Sequence, residues 1–173
     1  MAMNFSAEAQ SVFLTGLRNA HAMENQALSI MKPQVERIEN YPEVAQRLQQ
    51  HIAETEGQIQ RLETVLESMG EQKSTLKDVA LSLVGTMATI AHAPAPDEIL
   101  KNSFANFAFE HYEIAAYKSL IALAEAGGAV SAVSLLQQNL NEEEAMATWL
   151  DQNLQTVTLK YAALRETGAT AKH

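Results

Sequence analysis

The chain has 173 residues, enough for one domain that buries about two-thirds of its unfolded surface. It is 47% apolar and only 6% aromatic, with four prolines and seven glycines, a mix rich in Ala, Leu, Gln and Glu that favours helix over sheet. A net charge of −9 speaks against nucleic-acid or anionic-membrane partners, which need a basic face, and the absence of cysteine removes disulfides and thiolate metal sites.

The absence of cysteine fits a reducing cytosol, and the opening MAMNFSAEAQ has neither the basic nor the apolar region of a secretion signal, so a cytoplasmic protein is expected. The first predicted helix starts at Ser6, an N-cap residue, and runs to Lys32 before Pro33, with Phe13, Leu17, Ala20, Leu28 and Met31 recurring at three and four. The second starts at Pro42 and carries Val44, Leu48, Ile52, Ile59, Leu62 and Leu66 as far as Gly70. Lys73 to about Ala91 reads as a third, less amphipathic helix, closed by the APAP segment at 93–96. Its core, VALSLVGTMATIAHA, is too short and too polar to span a bilayer of about 30 Å. Asp97 is positioned to cap a fourth helix that ends at Gly127-Gly128. The last helix, about 130–166, carries Leu135, Leu136, Leu140, Leu150 and Leu154, and the residues from 167 to 173 are expected to fray.

Helix pair, long crossover and helix pair is the layout of an all-α, ferritin-like four-helix bundle whose crossover contains an additional helix. The expected core spans residues 6–166 of one domain. The crossover, with Val79, Leu81, Leu83, Val84, Met87 and Ile90, is apolar on more than one side, which suggests burial between two subunits and a homodimer.

Several acidic residues fall inside the apolar stripes. Glu24 shares a face with Leu17, Ala20, Leu28 and Met31; Glu110 with Phe107, Ile114, Tyr117 and Ile121; Glu143 with Leu136, Leu140, Ala147, Leu150 and Leu154. On the second helix His51 and Glu54 lie three apart on a face bordering the stripe, with Thr55 and Gln58 nearby. Glu113 is one turn from Glu110. A single glutamate in such a stripe is most often at its edge, reaching to water. Four helices each aiming a carboxylate inward at similar depth is a different matter, because each uncompensated burial costs several kcal/mol. Two divalent cations resolve the repulsion, and oxygen ligands with an imidazole suit non-heme iron or manganese, magnesium or calcium. Glu142 and Glu144 fall out of phase and read as solvated. His21, His92 and His111 read as structural, and Met23, Met31, Met69, Met87 and Met146 as core filler.

The segments NAHAMENQAL at 19–28, HIAETEGQIQRLE at 51–63, EHYEIAAY at 110–117 and NLNEEEA at 139–145 resemble the signature segments of the YciE/YciF-type ferritin-like stress proteins, a bacterial family of unknown function. The resemblance covers about residues 8–160. It implies a rubrerythrin-like bundle that dimerises and carries a di-metal centre, with Glu24, Glu54, Glu110, Glu113 and Glu143 at the acidic positions, His51 at the family histidine, and iron as the metal. The chain departs from the common di-iron pattern, since His51 precedes Glu54 instead of following it and Met146 stands where a second histidine is usual. Asn141, Ala145 and the apolar crossover are further departures. Two functions follow: a redox or peroxide-reactive centre fed by an external reductant, with Tyr112 or Tyr117 as a nearby donor, or a non-catalytic dimeric scaffold with a structural or vestigial metal site.

Overall fold

The structure, a computed structural model, describes residues 5–71 and 95–171. They form four helices, α1 (Ala7–Arg37), α2 (Pro42–Ser68), α3 (Glu98–Ala126) and α4 (Val130–Glu166), and contain no strand. No helix among the described residues is long and apolar enough to cross a membrane. The additional crossover helix expected at 73–91, and the apolar stretch behind the dimer expectation, lie outside the described residues.

Local chemistry accounts for most of the boundaries. Ser6 caps α1, its Oγ accepting from the Ala9 amide at 3.2 Å, and Pro42 opens α2, where its missing N–H costs nothing. Glycines in the left-handed region end α2, α3 and α4: Gly70, Gly128 and Gly168 have φ of 88°, 67° and 73°, and the next residue's amide reaches back to Leu66, Ala124 and Leu164. Three expectations need correction. α1 does not stop before Pro33 but continues to Arg37, because Gln34 and Arg37 tie the last turn to Asn106 and Glu98 of α3, and those contacts outweigh the lost backbone bond. Asp97 sits at the cap of α3 without a capping bond, since Lys101 takes its carboxylate at 2.9 Å. The tail is held as far as Ala171, whose carbonyl accepts from Tyr41 Oη at 2.9 Å.

Cross-helix partners give the topology. Lys32 meets Glu56 and Arg18 meets Glu71, so α1 and α2 are antiparallel; Gln34 meets Asn106 and Arg37 meets Glu98, so α1 and α3 are antiparallel. Lys160 meets Glu43 and Arg61 meets Glu142, so α2 and α4 are antiparallel; the three relations together make α3 and α4, which meet at Lys118 and Glu144, antiparallel as well. It follows that α2 and α3 run the same way. Glu71 lies beside Arg18, about a third of the way along α1, and Glu98 beside Arg37 at its last residue, about 28 Å apart along the axis at 1.5 Å per residue. The bundle is therefore the expected one, two hairpins joined by a connection that must return its length.

One apolar core runs along the bundle, with Phe13, Leu17, Leu62, Leu66, Leu120 and Leu136 toward one end and Met31, Tyr41, Leu48, Ile99 and Leu150 toward the other. Each such side chain contributes about 1.5–3 kcal/mol on burial. Between the two groups lies a layer of buried polar residues, which no hydrophobic argument explains.

Candidate metal centre

The polar layer contains Glu24 from α1, His51, Thr55 and Gln58 from α2, Glu110, Glu113 and Tyr117 from α3, and Asn139 and Glu143 from α4, all buried. His51 is its hub. Nε2 lies 3.2 Å from Glu110 Oε2 and 3.4 Å from Glu143 Oε2, while Nδ1 lies 2.9 Å from Glu54 Oε2. One ring N–H cannot be aimed at both Glu110 and Glu143, and neither oxygen gains an aligned hydrogen bond. Among the described residues Glu24 Oε2, both oxygens of Glu113 and Glu143 Oε1 have no hydrogen-bond partner either, a condition that costs several kcal/mol for charged groups unless something else compensates.

The electrostatics carry the same sense. Burial, then Glu143, pushes Glu24 well above the ordinary carboxylate value, against a hydrogen bond from Tyr117. Burial raises Glu113 likewise, reinforced by Glu24, Glu143 and Glu110. Burial also pushes Glu143 up to about 7, partly offset by His51. For His51 burial acts downward, but the charge of Glu110, the nearness of Glu143 and the contact with Glu54 outweigh it and raise the imidazole well above its ordinary value. Acids held protonated and an imidazole held charged are what a bundle must adopt when several carboxylates converge without a cation.

A buried group of His51, Glu110 and Glu143 could hold a metal ion, with one atom from each within 4.8 Å of the others. One imidazole nitrogen with several carboxylate oxygens suits a hard or borderline divalent cation. Of the six residues expected as ligands, the structure gathers five into the buried layer. Glu54 stands apart. Its side chain is 21% exposed against 1% for His51, and Arg47 Nη1 at 3.0 Å and Gln50 Nε2 at 2.8 Å hold it on the outer side of the imidazole. Burial works to raise Glu54, but the bonds from His51 and Arg47 prevail and bring it down to about 2. His51 thus occupies the centre of the α2 stripe, not its border.

The remaining expectations divide. Tyr117 is buried and donates to Glu24 Oε1 at 2.5 Å, whereas Tyr112 is 55% exposed and faces away. Thr55 spends its hydroxyl on the His51 carbonyl, while Gln58 is buried with neither amide atom partnered. Glu142 and Glu144 lie at the flanks with Arg61 and Lys118; His111 is exposed; His21 is buried beside Glu63 at 3.6 Å. His92 lies outside the described residues. Three residues were not singled out: Arg47, Arg61 and Asn139. The signal for Asn139 was its spacing of four from Glu143 within the α4 stripe, and its amide Nδ2 lies 2.9 Å from Tyr117 Oη.

Comparison with known proteins agrees with this architecture. Residues 8–163 match the family described as Domain of unknown function (DUF892). The chain is 31% identical over 140 residues to Protein YciF of Escherichia coli (strain K12), covering 79% of this chain and 84% of that one. A crystal structure of a protein from Xanthomonas campestris pv. campestris superposes with a TM-score of 0.76 at 27% identity, covering 91% of this chain and 99% of that one. The crystal structure of the Escherichia coli stress protein YciF superposes with a TM-score of 0.69 at 25% identity, covering 86% and 96%. An all-α bundle with its polar layer at mid-height, matched in sequence along most of its length, places the chain in the DUF892 family of YciE/YciF-type ferritin-like proteins.

Proposed function

We propose that the polar layer is a di-metal centre, with iron as the native metal, and that it serves a redox or peroxide-directed role under stress. The observation that carries this is the convergence of His51, Glu110 and Glu143 amid buried carboxylate oxygens that no described residue satisfies. His51 Nε2, Glu110 and Glu143 are the donors for one ion; Glu24 and Glu113 complete the set for two, and four carboxylates balance two divalent charges. Glu54 is read as the group that orients His51 from outside, taking the proton of Nδ1 as a hydrogen bond so that Nε2 presents its lone pair inward. Bound iron would supply one-electron chemistry toward peroxide or dioxygen. The chain's own part is to hold the donors, keep the layer dry within the apolar core, and direct the Tyr117 hydroxyl at Glu24. With no cysteine for an iron–sulfur partner, electrons would come from an external reductant. The stress-protein name of the Escherichia coli relative supports the physiological setting. We further propose a cytoplasmic homodimer, tested by light scattering of polar variants at Leu83 and Met87, where an unchanged mass would remove it.

The test is metal analysis of protein purified without chelator, then anaerobic iron loading and addition of peroxide. About two equivalents of metal and a peroxide-dependent optical change, lost in Glu110→Ala, are expected. Wild-type protein that takes up no divalent metal would end the proposal. A second reading, a structural metal site, is favoured by how thoroughly the layer is enclosed, all nine of its described members being buried. Metal-dependent melting with no response to peroxide would decide for it.

A further inference from the structure

Tyr117 reaches Glu24 as the inner end of a chain of hydrogen bonds that begins near the surface. Arg61 of α2 donates through Nε to Asn139 Oδ1 and through its terminal nitrogen to Glu142. Asn139 Nδ2 lies 2.9 Å from Tyr117 Oη and 3.4 Å from the Gln58 carbonyl, and Tyr117 Oη lies 2.5 Å from Glu24 Oε1. We propose that Arg61 and Asn139 are positioning residues that fix the direction of the Tyr117 to Glu24 hydrogen bond, and so set how strongly Glu24 donates to a bound cation.

The argument is one of polarity. Arginine only donates, so the Asn139 atom facing Arg61 must be the oxygen. The two N–H bonds of Nδ2 then face the Gln58 carbonyl and Tyr117 Oη, both of which can accept. A tyrosine hydroxyl has a single hydrogen; with Asn139 donating to its oxygen, that hydrogen is free for Glu24 alone. Asn139 is fully buried and Arg61 is anchored by Glu142, so the amide has no competing orientation among the described residues. A carboxylate oxygen that accepts a bond from a phenol has less electron density to give a metal, which makes Arg61 and Asn139 a tuning element for the centre. This inference rests on the metal reading above only for its consequence; the bond direction stands in the metal-free protein.

The experiment therefore has two arms. In metal-free protein, the tyrosine Raman doublet of Tyr117 is isolated by subtracting the Tyr117→Phe spectrum. Arg61→Met frees Asn139 to turn its oxygen toward the phenol, and the doublet should move from a hydroxyl that both accepts and donates to one that only donates; an unchanged doublet overturns the proposal. In protein loaded with Co²⁺ alone, Asn139→Asp draws the Tyr117 hydrogen away from Glu24, so its visible bands should shift in the sense of Tyr117→Phe and by at least half as much. Asn139→Leu removes the donor to the phenol oxygen without reversing the polarity and should shift the bands by less than Asn139→Asp does. If Asn139→Asp and Asn139→Leu move together, the proposal is wrong. Wild-type protein that takes up no Co²⁺ would instead count against the metal centre, while the Raman arm still decides the bond direction. Arg61→Met, at a partly exposed site, keeps the question open to measurement if the Asn139 variants do not fold.

Discussion

His51 is held at both ring nitrogens, with Nδ1 2.9 Å from Glu54 on the solvent side and Nε2 3.2 Å from Glu110 on the inner side. The outer contact is itself braced by Arg47 and Gln50, so Glu54 has little freedom to turn inward. A ring fixed in this way presents Nε2 to the centre in one orientation.

Glu54→Ala should therefore weaken divalent-metal binding without removing the inner donors. The expected loss is about 10–100-fold in affinity, the usual effect of deleting a partner that orients a metal-binding histidine. Glu54→Gln, which can still accept from Nδ1, should lose less. Calorimetric titration with Mn²⁺ checks both, and equal affinity for wild type and Glu54→Ala would show that the outer contact orients nothing.

Metal-free protein should melt at a lower temperature at pH 8 than at pH 5, by roughly 5 °C. Glu24 and Glu113 are raised well above 4.5 and Glu143 sits at about 7, so the folded state keeps protons that the unfolded chain releases as pH climbs past 4.5, and stability falls over that interval. His51 acts in the same direction: its raised value contributes stability below 6.5 that is lost as pH rises through the folded-state value. Glu54, at about 2, contributes stability present above 4.5 and lost only toward strong acid, outside the window. Saturating metal should flatten the slope, because bound cations replace the protons. Scanning calorimetry at the two pH values, with and without Mn²⁺, measures it; a metal-free protein more stable at pH 8 would contradict the site electrostatics.

Glu113→Leu should stabilise the metal-free protein. Among the described residues neither buried carboxyl oxygen has a hydrogen-bond partner, and a leucine of similar volume removes that cost. The gain expected is about 1–3 kcal/mol, or roughly 2–10 °C in melting temperature. The same variant should lose much of the stabilisation that metal confers on wild type. A lower melting temperature without metal would mean that Glu113 has a compensating partner.

Gly127→Ala tests the packing of the amino-terminal segment. A Cβ there would come within 2.1 Å of the Phe5 ring, which stacks on Phe13 with centroids 5.3 Å apart. Its φ of −85° suits any residue, so the cost is steric alone. Displacing Phe5 should cost about 1 kcal/mol, and Gly127→Ala should add almost nothing on a Phe5→Ala background. Thermal melts of the four proteins of this cycle give the answer.

The residues that were misread share one cause. Hydrophobic spacing tracked α1 and α4 because Glu24 and Glu143 are flanked by apolar positions, Leu17, Ala20 and Met31 or Leu136, Leu140 and Leu150, that outnumber the buried polar residues of the same faces. On α3 it chose Phe107 and Ile114 as stripe members, yet both are only partly buried, and the inward line runs through Asn102, Asn106, Glu110, Glu113 and Tyr117. On α2 it placed His51 at a border for the same reason, since the inward line is His51, Thr55 and Gln58. Where the interior of a bundle is polar, apolar periodicity marks the flanks of the buried face and not its centre.

The order of the four described helices, the glycine that ends three of them, Pro42 at the start of α2, and the inward acids Glu24, Glu110 and Glu143 were legible in the chain, because helix periodicity and capping act within a few residues. What only the tertiary structure decided was which acids meet: that Glu110 and Glu143 share His51 Nε2, that Glu54 is drawn outward by Arg47, and that Arg61 reaches through Asn139 to Tyr117. Those outcomes depend on the axial offsets and rotations of four packed helices, and no spacing along a single helix contains them.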